Sequence, residues 1–423
     1  AATLDKAIEP WEALERLRVP LAPCPGAPAR QMVSVGQQVR AGEKIGAAGD
    51  DGVDIFAPLA GRVVGFPTVA VAGTYGWRNC PAIELAVSSQ PLGLNHAPVL
   101  LDWQGLEGAA LRDLIAQGSI VIHRRNGGPL RRWVARARAQ RCRTLAANAM
   151  EQQPLVTADH RLLAEHGREI IIALAILGRA IGAQDIILAV ENRHTEAYRG
   201  LLAPAREHNI TRIALAHKYP TEADAILTKV LTRRAVPPGR GPMDTGVAVI
   251  DPGSCLEVYR WVVCQERLAG RVVTVWGHQA RRGGNYFVPF GADCASLADE
   301  NEMVVIHSGP MVGLRCGADA VVSPATNAVL GIEQSRGAAP SPCIRCGWCT
   351  DHCPARLNVA ALNDDFELGM VKRAARSGIL ACVSCGVCSY VCPARLPLAQ
   401  RANELKWMIT EGRAESLSAD GRQ

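Results

Sequence analysis

Aromatic residues are scarce in this chain of 423 residues, with Phe, Tyr and Trp making up 4% of it. Proteins that hold single-stranded nucleic acid stack bases on aromatic rings, and nucleic-acid binders in general carry a strong basic excess. Lys and Arg number 46 against 40 Asp and Glu, a net charge of only +6, so neither class fits. Also lacking is any run of about 18 uninterrupted apolar residues, the least that spans a membrane as a helix. The best candidate, Ile170–Val190, is broken by Arg179, Gln184 and Asp185. It reads as a helix, a turn at Gly182 and a strand over Ile186–Val190. The first residues, Ala1-Ala-Thr-Leu-Asp-Lys6, hold no apolar signal core. Without an initiator Met they read as a processed or trimmed start.

Cysteine is plentiful, but not in the pattern of a disulfide framework, which belongs to short secreted chains. Of 15 cysteines, Cys24, Cys80, Cys142, Cys255, Cys264, Cys294 and Cys316 stand singly and read as plain thiols. The rest form Cys343-Ile-Arg-Cys346-Gly-Trp-Cys349-Thr-Asp-His-Cys353-Pro354 and Cys382-Val-Ser-Cys385-Gly-Val-Cys388-Ser-Tyr-Val-Cys392-Pro393. Each is C-x2-C-x2-C-x3-C-P, the bacterial ferredoxin spacing in which the fourth cysteine of one motif ligates the cluster of the other. Three thiolates on a tight loop embrace three irons of a cubane, and Gly347 and Gly386 let the backbone close around it. Two [4Fe–4S] clusters are therefore expected. Cluster I would use Cys343, Cys346, Cys349 and Cys392; cluster II would use Cys382, Cys385, Cys388 and Cys353. Zinc is the competing reading, but its sites take four ligands, usually from two C-x2-C pairs. Two tetrads, each followed by a proline that stops the helical pattern, fit zinc poorly. Between the motifs about 28 residues read as two helices. Trp348, Val387 and Tyr390 are expected to pack against cluster or core.

Upstream, the pattern changes several times. Residues 1–30 read as a Pro-rich, mostly irregular extension with one helix near Pro10–Arg18. Residues 31–95 read as all-β, with short runs such as Val33-Ser-Val-Gly36 and Pro58-Leu-Ala-Gly61-Arg-Val-Val-Gly65 punctuated by glycine. They are similar to the barrel-sandwich domains of lipoyl and biotinyl carriers, yet the tip Gly49-Asp-Asp-Gly52-Val-Asp54 holds no Lys to modify. Residues 100–240 alternate helical and strand patterns (strands at Ser119–His123, Ile186–Val190 and Arg212–Ala216, a helix over Asp159–Ile181), as in an α/β domain with a parallel sheet. Residues 245–312 are strand-rich, at Gly246–Ile250, Arg271–Trp276 and Tyr286–Pro289. Residues 320–342 read as a linker, 343–405 as the cysteine module and 406–423 as a polar tail.

This order of parts resembles the C subunit of the Rnf complex, a membrane-bound machine coupling ferredoxin:NAD oxidoreduction to ion translocation. The resemblance rests on the cysteine motifs, Leu162–Val190, Lys218-Tyr219-Pro220, Arg271-Val-Val-Thr-Val275, Gly284-Asn285-Tyr286 with Gly291, and Gly309-Pro310-Met311. The cobalamin reductase of propanediol microcompartments and the flavoprotein subunit of complex I share parts of it. The resemblance implies a multidomain α/β protein: barrel-sandwich domain, flavoprotein-like α/β domain, small β-grasp-like (SLBB) domain and helical di-cluster module. It further implies a redox subunit of an ion-translocating oxidoreductase, peripheral on the cytoplasmic side of the inner membrane, with integral membrane and iron–sulfur subunits as partners.

Members that bind FMN and NADH carry a loop like G-x-G-G-A-G-F-P-T, whose glycines let backbone amides approach flavin and phosphate. Here the loop reads Ile122-His-Arg-Arg-Asn-Gly127-Gly128-Pro-Leu130, so arginines stand where small residues are needed. A second strip, Asn148-Ala-Met-Glu151-Gln-Gln-Pro154, keeps the family's Asn148 and Glu151 but has Gln153 and Leu155 for its Glu and Tyr. By this resemblance Gly127, Gly128, Asn148 and Glu151 mark a degenerate FMN site with no catalytic residues of its own. From Leu114 to Met150 there is no Asp or Glu but eight arginines, Arg124, Arg125, Arg131, Arg132, Arg136, Arg138, Arg141 and Arg143. They read as a solvated helix face, as a docking surface for an acidic redox protein, or as a contact to anionic lipid. A soluble flavin-dependent cobalamin-reductase-like enzyme and a non-catalytic relay are the competing functions.

Overall fold

The computed structural model describes all residues except 1, 13, 50, 89–93, 95–99, 195–197, 278–282, 299–302, 334–338 and 421–423. The chain divides into two compact units, residues 1–224 with 242–334, and residues 225–241 with 335–423.

In the first unit the long strand Trp77–Val87 is the spine of the β-rich region. Arg16–Pro20, Gly61–Gly65 and Thr68–Ala72 all pair with it antiparallel. Alternation places Leu17, Val19, Val63, Ile83 and Leu85 in one apolar core. A three-stranded sheet of Arg30–Gln31, Lys44–Ala47 and Ile55–Phe56 completes the sandwich. The helix expected near Pro10–Arg18 is absent. Arg16-Leu-Arg-Val-Pro20 alternates in burial and forms a strand, and Ile8–Pro10 pairs with Gly284–Pro289. The extension expected over 1–30 is thus stitched into two sheets. The tip expected over 49–54 includes residue 50, outside the described residues; beside it, Asp54 pairs with Lys44 at 2.6 Å.

The α/β region is a four-stranded parallel sheet in the order Ile210–Leu215, Asp185–Glu191, Thr144–Ala149, Val247–Ile250. Thr144–Ala149 and Val247–Ile250 are almost continuously buried because both faces are covered there, while the edge strand Ile210–Leu215 is half exposed. The helix Ala158–Ile181 ends at Gly182, whose φ of 77° is the left-handed C-cap that glycine adopts without penalty. Gly178 lets helix and sheet approach: a Cβ there would meet Ile186 Cδ1 at 2.4 Å. The strand expected over Ser119–His123 shrinks to one bridge between Val121 and Pro129, because Ser119 has a φ of 55° and cannot continue a ladder. This strand order reverses between Thr144–Ala149 and Val247–Ile250. The carboxyl ends of those two strands flank the crevice where open α/β sheets place ligands.

A six-stranded sheet follows, ordered Ile8–Pro10, Gly284–Pro289, Gly270–Gly277, Ala328–Glu333, Met303–His307, Leu314–Arg315. It corrects the linker expected over 320–342. Ala328–Glu333 is an interior strand with Val329 and Leu330 fully buried; the Ser, Pro and Thr before it mask its apolar run, and 334–338 lie outside the described residues.

The second unit is helical. Val359–Glu367 and Val371–Arg376 are the two helices expected between the motifs, and with Leu398–Asp420 they enclose Leu357, Leu362, Ala374, Leu396 and Leu405. The backbone stays helical to Asp420, through most of the polar tail expected over 406–423, since Ala, Glu, Arg and Leu there are good helix formers. Trp348 and Tyr390 do not pack into the core but are 53% and 79% exposed. Among the described residues no helix is long and apolar enough to cross a membrane.

Candidate metal centres and the strand-end crevice

The two cysteine motifs adopt the same backbone path. Gly347 and Gly386 are left-handed (φ 82° and 80°), and so are Arg345 and Ser384 (59° and 57°). Each motif continues into an identical Cys-Pro-Ala-Arg-Leu, Cys353–Leu357 and Cys392–Leu396, in which Arg356 and Arg395 are again left-handed (55° and 56°). This repeat is visible in the sequence and is a signal that motif spacing alone passes over.

The side chains gather into two cavities. One is lined by Cys353, Cys382, Cys385 and Cys388, with Leu357, Leu362 and Leu398. The other is lined by Cys343, Cys346, Cys349 and Cys392, with Leu396 and Leu398. Each cavity takes three cysteines from one motif and the fourth from the other. Zinc would need four donors converging at about 2.3 Å on one point; each tetrad here lines a cavity instead. Sulfurs ringing a cavity suit a cubane. The Leu357 N–H donates to Cys353 Sγ and the Ser384 N–H to Cys382 Sγ, both at 3.4 Å. Burial, reinforced by Cys382 and Cys385, pushes the Cys388 thiol up to about 12. Four thiolates so close together need cationic iron to offset their charge.

The strand-end crevice is built from residues that follow the parallel strands. Asn148 is fully buried, and its Nδ2 donates to Glu222 O at 2.7 Å and Asp224 Oδ1 at 2.9 Å. Glu151 Oε1 accepts from the His160 N–H at 2.7 Å, and the Glu151 N–H donates to Glu191 Oε1 at 3.2 Å. Asp251 caps the helix Pro252–Val262, accepting from the Ser254 N–H at 2.8 Å and its Oγ at 2.7 Å. Burial works against the Asp251 charge, but His123, Arg124 and Ser254 hold it below the usual range. Burial, with Asp159 and Glu191 nearby, raises Glu151 well above it.

Arg124 and Arg125 leave the solvent here, which corrects the reading of all eight arginines as surface. The Arg124 guanidinium lies 3.7 Å from Asp224 Oδ1, its side chain 14% exposed. Despite burial, Asp224, Asp251, Asp159 and Glu222 favour its charge. Burial pulls Arg125 down to about 10, with Tyr219 opposing. Arg131 donates to Gly52 O at 3.1 Å, Arg132 pairs with Asp51, and Arg136 lies 3.4 Å from Asp244. Gly127 packs on its own loop, a Cβ there lying 2.1 Å from Ile122 O, while Gly128 is open.

A flavin here would find the Asn148 amide spent on Glu222 and Asp224 and the Arg124 guanidinium held among Asp224, Asp251, Asp159 and Glu222, while Nε and Nη2 of Arg125 have no hydrogen-bond partner among the described residues. Sequence reasoning singled out Arg124 and Arg125 in this loop. It missed Glu222, Asp224 and Asp251, whose part depends on the fold bringing them to Arg124.

Glu222 offers a test of this buried charge network. Burial pushes it up to about 8, with Arg124 opposing. The folded state thus binds a proton the unfolded chain releases near 4.5. Its stabilising effect is complete below that pH and is lost as pH rises toward 8. Glu222→Gln should gain stability relative to the parent by up to about 1.4 kcal/mol per pH unit across that window, read from denaturant melts at pH 5.5 and 7.5.

Comparison with known proteins follows the same division of parts. Residues 1–86 match the RnfC barrel sandwich hybrid domain, residues 127–260 the Nuo51 FMN-binding domain, and residues 337–393 a 4Fe-4S dicluster domain. The chain belongs to the RnfC family. Its second unit takes two [4Fe–4S] clusters. It is 30% identical over 362 residues to a protein of Edwardsiella ictaluri named as the C subunit of an ion-translocating oxidoreductase complex, covering 81% of this chain and 44% of that one. It is 26% identical over 375 residues to the C subunit of the proton-translocating ferredoxin:NAD(+) oxidoreductase complex of Clostridium ljungdahlii, covering 85% and 80%. The chain spans about half the length of the first curated relatives it matches (44% and 50%). An NAD+-reducing [NiFe]-hydrogenase structure in the H2-reduced state aligns with a TM-score of 0.49 at 15% identity, over 77% of this chain and 67% of that one.

Proposed function

We propose that this RnfC-family chain is an electron-transfer subunit of a membrane-associated Rnf-type oxidoreductase, passing single electrons through two [4Fe–4S] clusters. Cluster I is held by Cys343, Cys346, Cys349 and Cys392, and cluster II by Cys382, Cys385, Cys388 and Cys353. The observation that carries this reading is the pair of cavities, each lined by one of these tetrads. Bound cubanes supply one-electron chemistry. The protein's part is to fix the sulfurs on left-handed glycine turns, to direct the Leu357 and Ser384 N–H groups at thiolates, and to keep water out with Leu357, Leu362, Leu396 and Leu398.

The loop arginines and the occupied Asn148 amide argue against a cobalamin-reductase-like enzyme. Its electrons are exchanged with proteins rather than with NADH. The partners implied are the integral membrane and iron–sulfur subunits of the complex, with this subunit peripheral on the cytoplasmic face of the inner membrane. An acidic redox protein would meet the exposed Arg132, Arg136, Arg138, Arg141 and Arg143, not the half-buried Arg124 and Arg125.

Anaerobically reconstituted protein should bind about eight irons per chain, accept one electron per cluster from dithionite, and stay oxidised with NADH. Bleaching by NADH, or FMN retained through purification, would sink the flavin-free reading. About one iron or zinc per chain would sink the cluster assignment.

A further inference from the structure

The equal backbone of the two motifs isolates their side-chain differences, and two of these change formal charge: Arg345 stands against Ser384, and Asp351 against Tyr390. At Arg345 the guanidinium faces outward, 65% exposed, and pairs with Asp364 at 2.7 Å, so its charge is both neutralised and screened by solvent. Its counterpart is Ser384. Ser384 Oγ donates to Asn403 Oδ1 at 2.6 Å and accepts from Lys406 Nζ at 3.1 Å. The same Nζ donates to the Cys382 carbonyl at 2.8 Å. Lys406 is half-buried, on the helix Leu398–Asp420. Its ammonium is thus pinned on the backbone carbonyl of Cys382, whose side chain lines the second cavity.

We propose that Lys406 is a positioning residue that raises the reduction potential of cluster II, the cubane on Cys353, Cys382, Cys385 and Cys388, relative to cluster I. This rests on the two-cluster reading above. One-electron reduction adds one negative charge to a cluster, the electron coming from the redox partner or, in the test, from dithionite. A fixed positive charge nearby stabilises that added charge, and partial burial keeps it from being screened. At the matching position beside cluster I, Arg345 is spent on Asp364. The pair therefore has a built-in direction: an electron entering at cluster I runs downhill to cluster II.

EPR-monitored potentiometric titration of the reconstituted full chain tests this, with Cys353→Ala identifying the cluster II signal by its loss. Lys406→Gln should lower the cluster II midpoint alone, so that at the parent midpoint its reduced-to-oxidised ratio falls about tenfold or more. Lys406→Arg should restore most of that ratio. Asn403→Asp places a carboxylate beside Ser384 and leaves Lys406 in place; it should shift cluster II in the same direction even if Lys406→Gln assembles poorly. Unmoved midpoints in both Lys406→Gln and Asn403→Asp, equal shifts in both clusters, or an Arg variant as low as the Gln variant would overturn the proposal. Failure of the parent chain to show two cubane signals would overturn the two-cluster reading itself.

Discussion

Cys353→Ala is expected to cost the chain the cluster built mainly by the other motif. Iron should fall from about eight to about four per chain, and the surviving signal should belong to Cys343, Cys346, Cys349 and Cys392. The reason is geometric. Cys353 lines the cavity of Cys382, Cys385 and Cys388, while its neighbour in sequence, Cys349, lines the other. Double variants make the test decisive. Cys353→Ala with Cys382→Ala removes two ligands of one cluster and should cost no more iron than either alone. Cys353→Ala with Cys343→Ala removes one ligand from each and should leave almost none. If each motif served its own cluster, these two outcomes would be exchanged. Iron analysis and spin quantitation on the four proteins decide between them.

The cysteine tetrads were legible because cluster ligation is a local requirement: spacing, glycine and proline sit within twelve residues of one another. The same holds for the helix Ala158–Ile181 and its glycine stop, where a continuous periodic pattern meets a left-handed cap. Where the reading failed, long-range pairing decided the outcome. Arg16–Pro20 is too short to declare itself, and becomes a strand only because Trp77–Val87 lies alongside it. Ala328–Glu333 looks like linker until Gly270–Gly277 and Met303–His307 claim both its edges. The acid-free stretch gave a misleading picture for a similar reason. Its acids are present, but they come from Asp51, Asp224 and Asp244, far away in sequence.

Arg124 is the residue for which the two readings of the crevice predict opposite results. If it is an internal counter-ion, Arg124→Leu removes a cation shared by Asp224, Asp251 and Asp159 and leaves His123 and Arg271 to offset the last two. Removing one partner from a buried charge group typically costs about 3–5 kcal/mol, and unfolding of the first unit should shift to lower denaturant by that order. The loss should be smaller at pH 5 than at pH 7.5, because carboxyls raised by burial, such as Glu222 and Asp159, protonate and relieve the repulsion. Adding FMN to the parent protein should leave its melting midpoint unmoved. A bound flavin at a hundred times its dissociation constant would instead add about 2.7 kcal/mol. If Arg124 served a flavin phosphate, its loss would scarcely affect the flavin-free protein and would abolish that ligand-dependent gain. Denaturant melts of parent and variant, with and without FMN, therefore separate a crevice closed by its own arginine from one waiting for a cofactor.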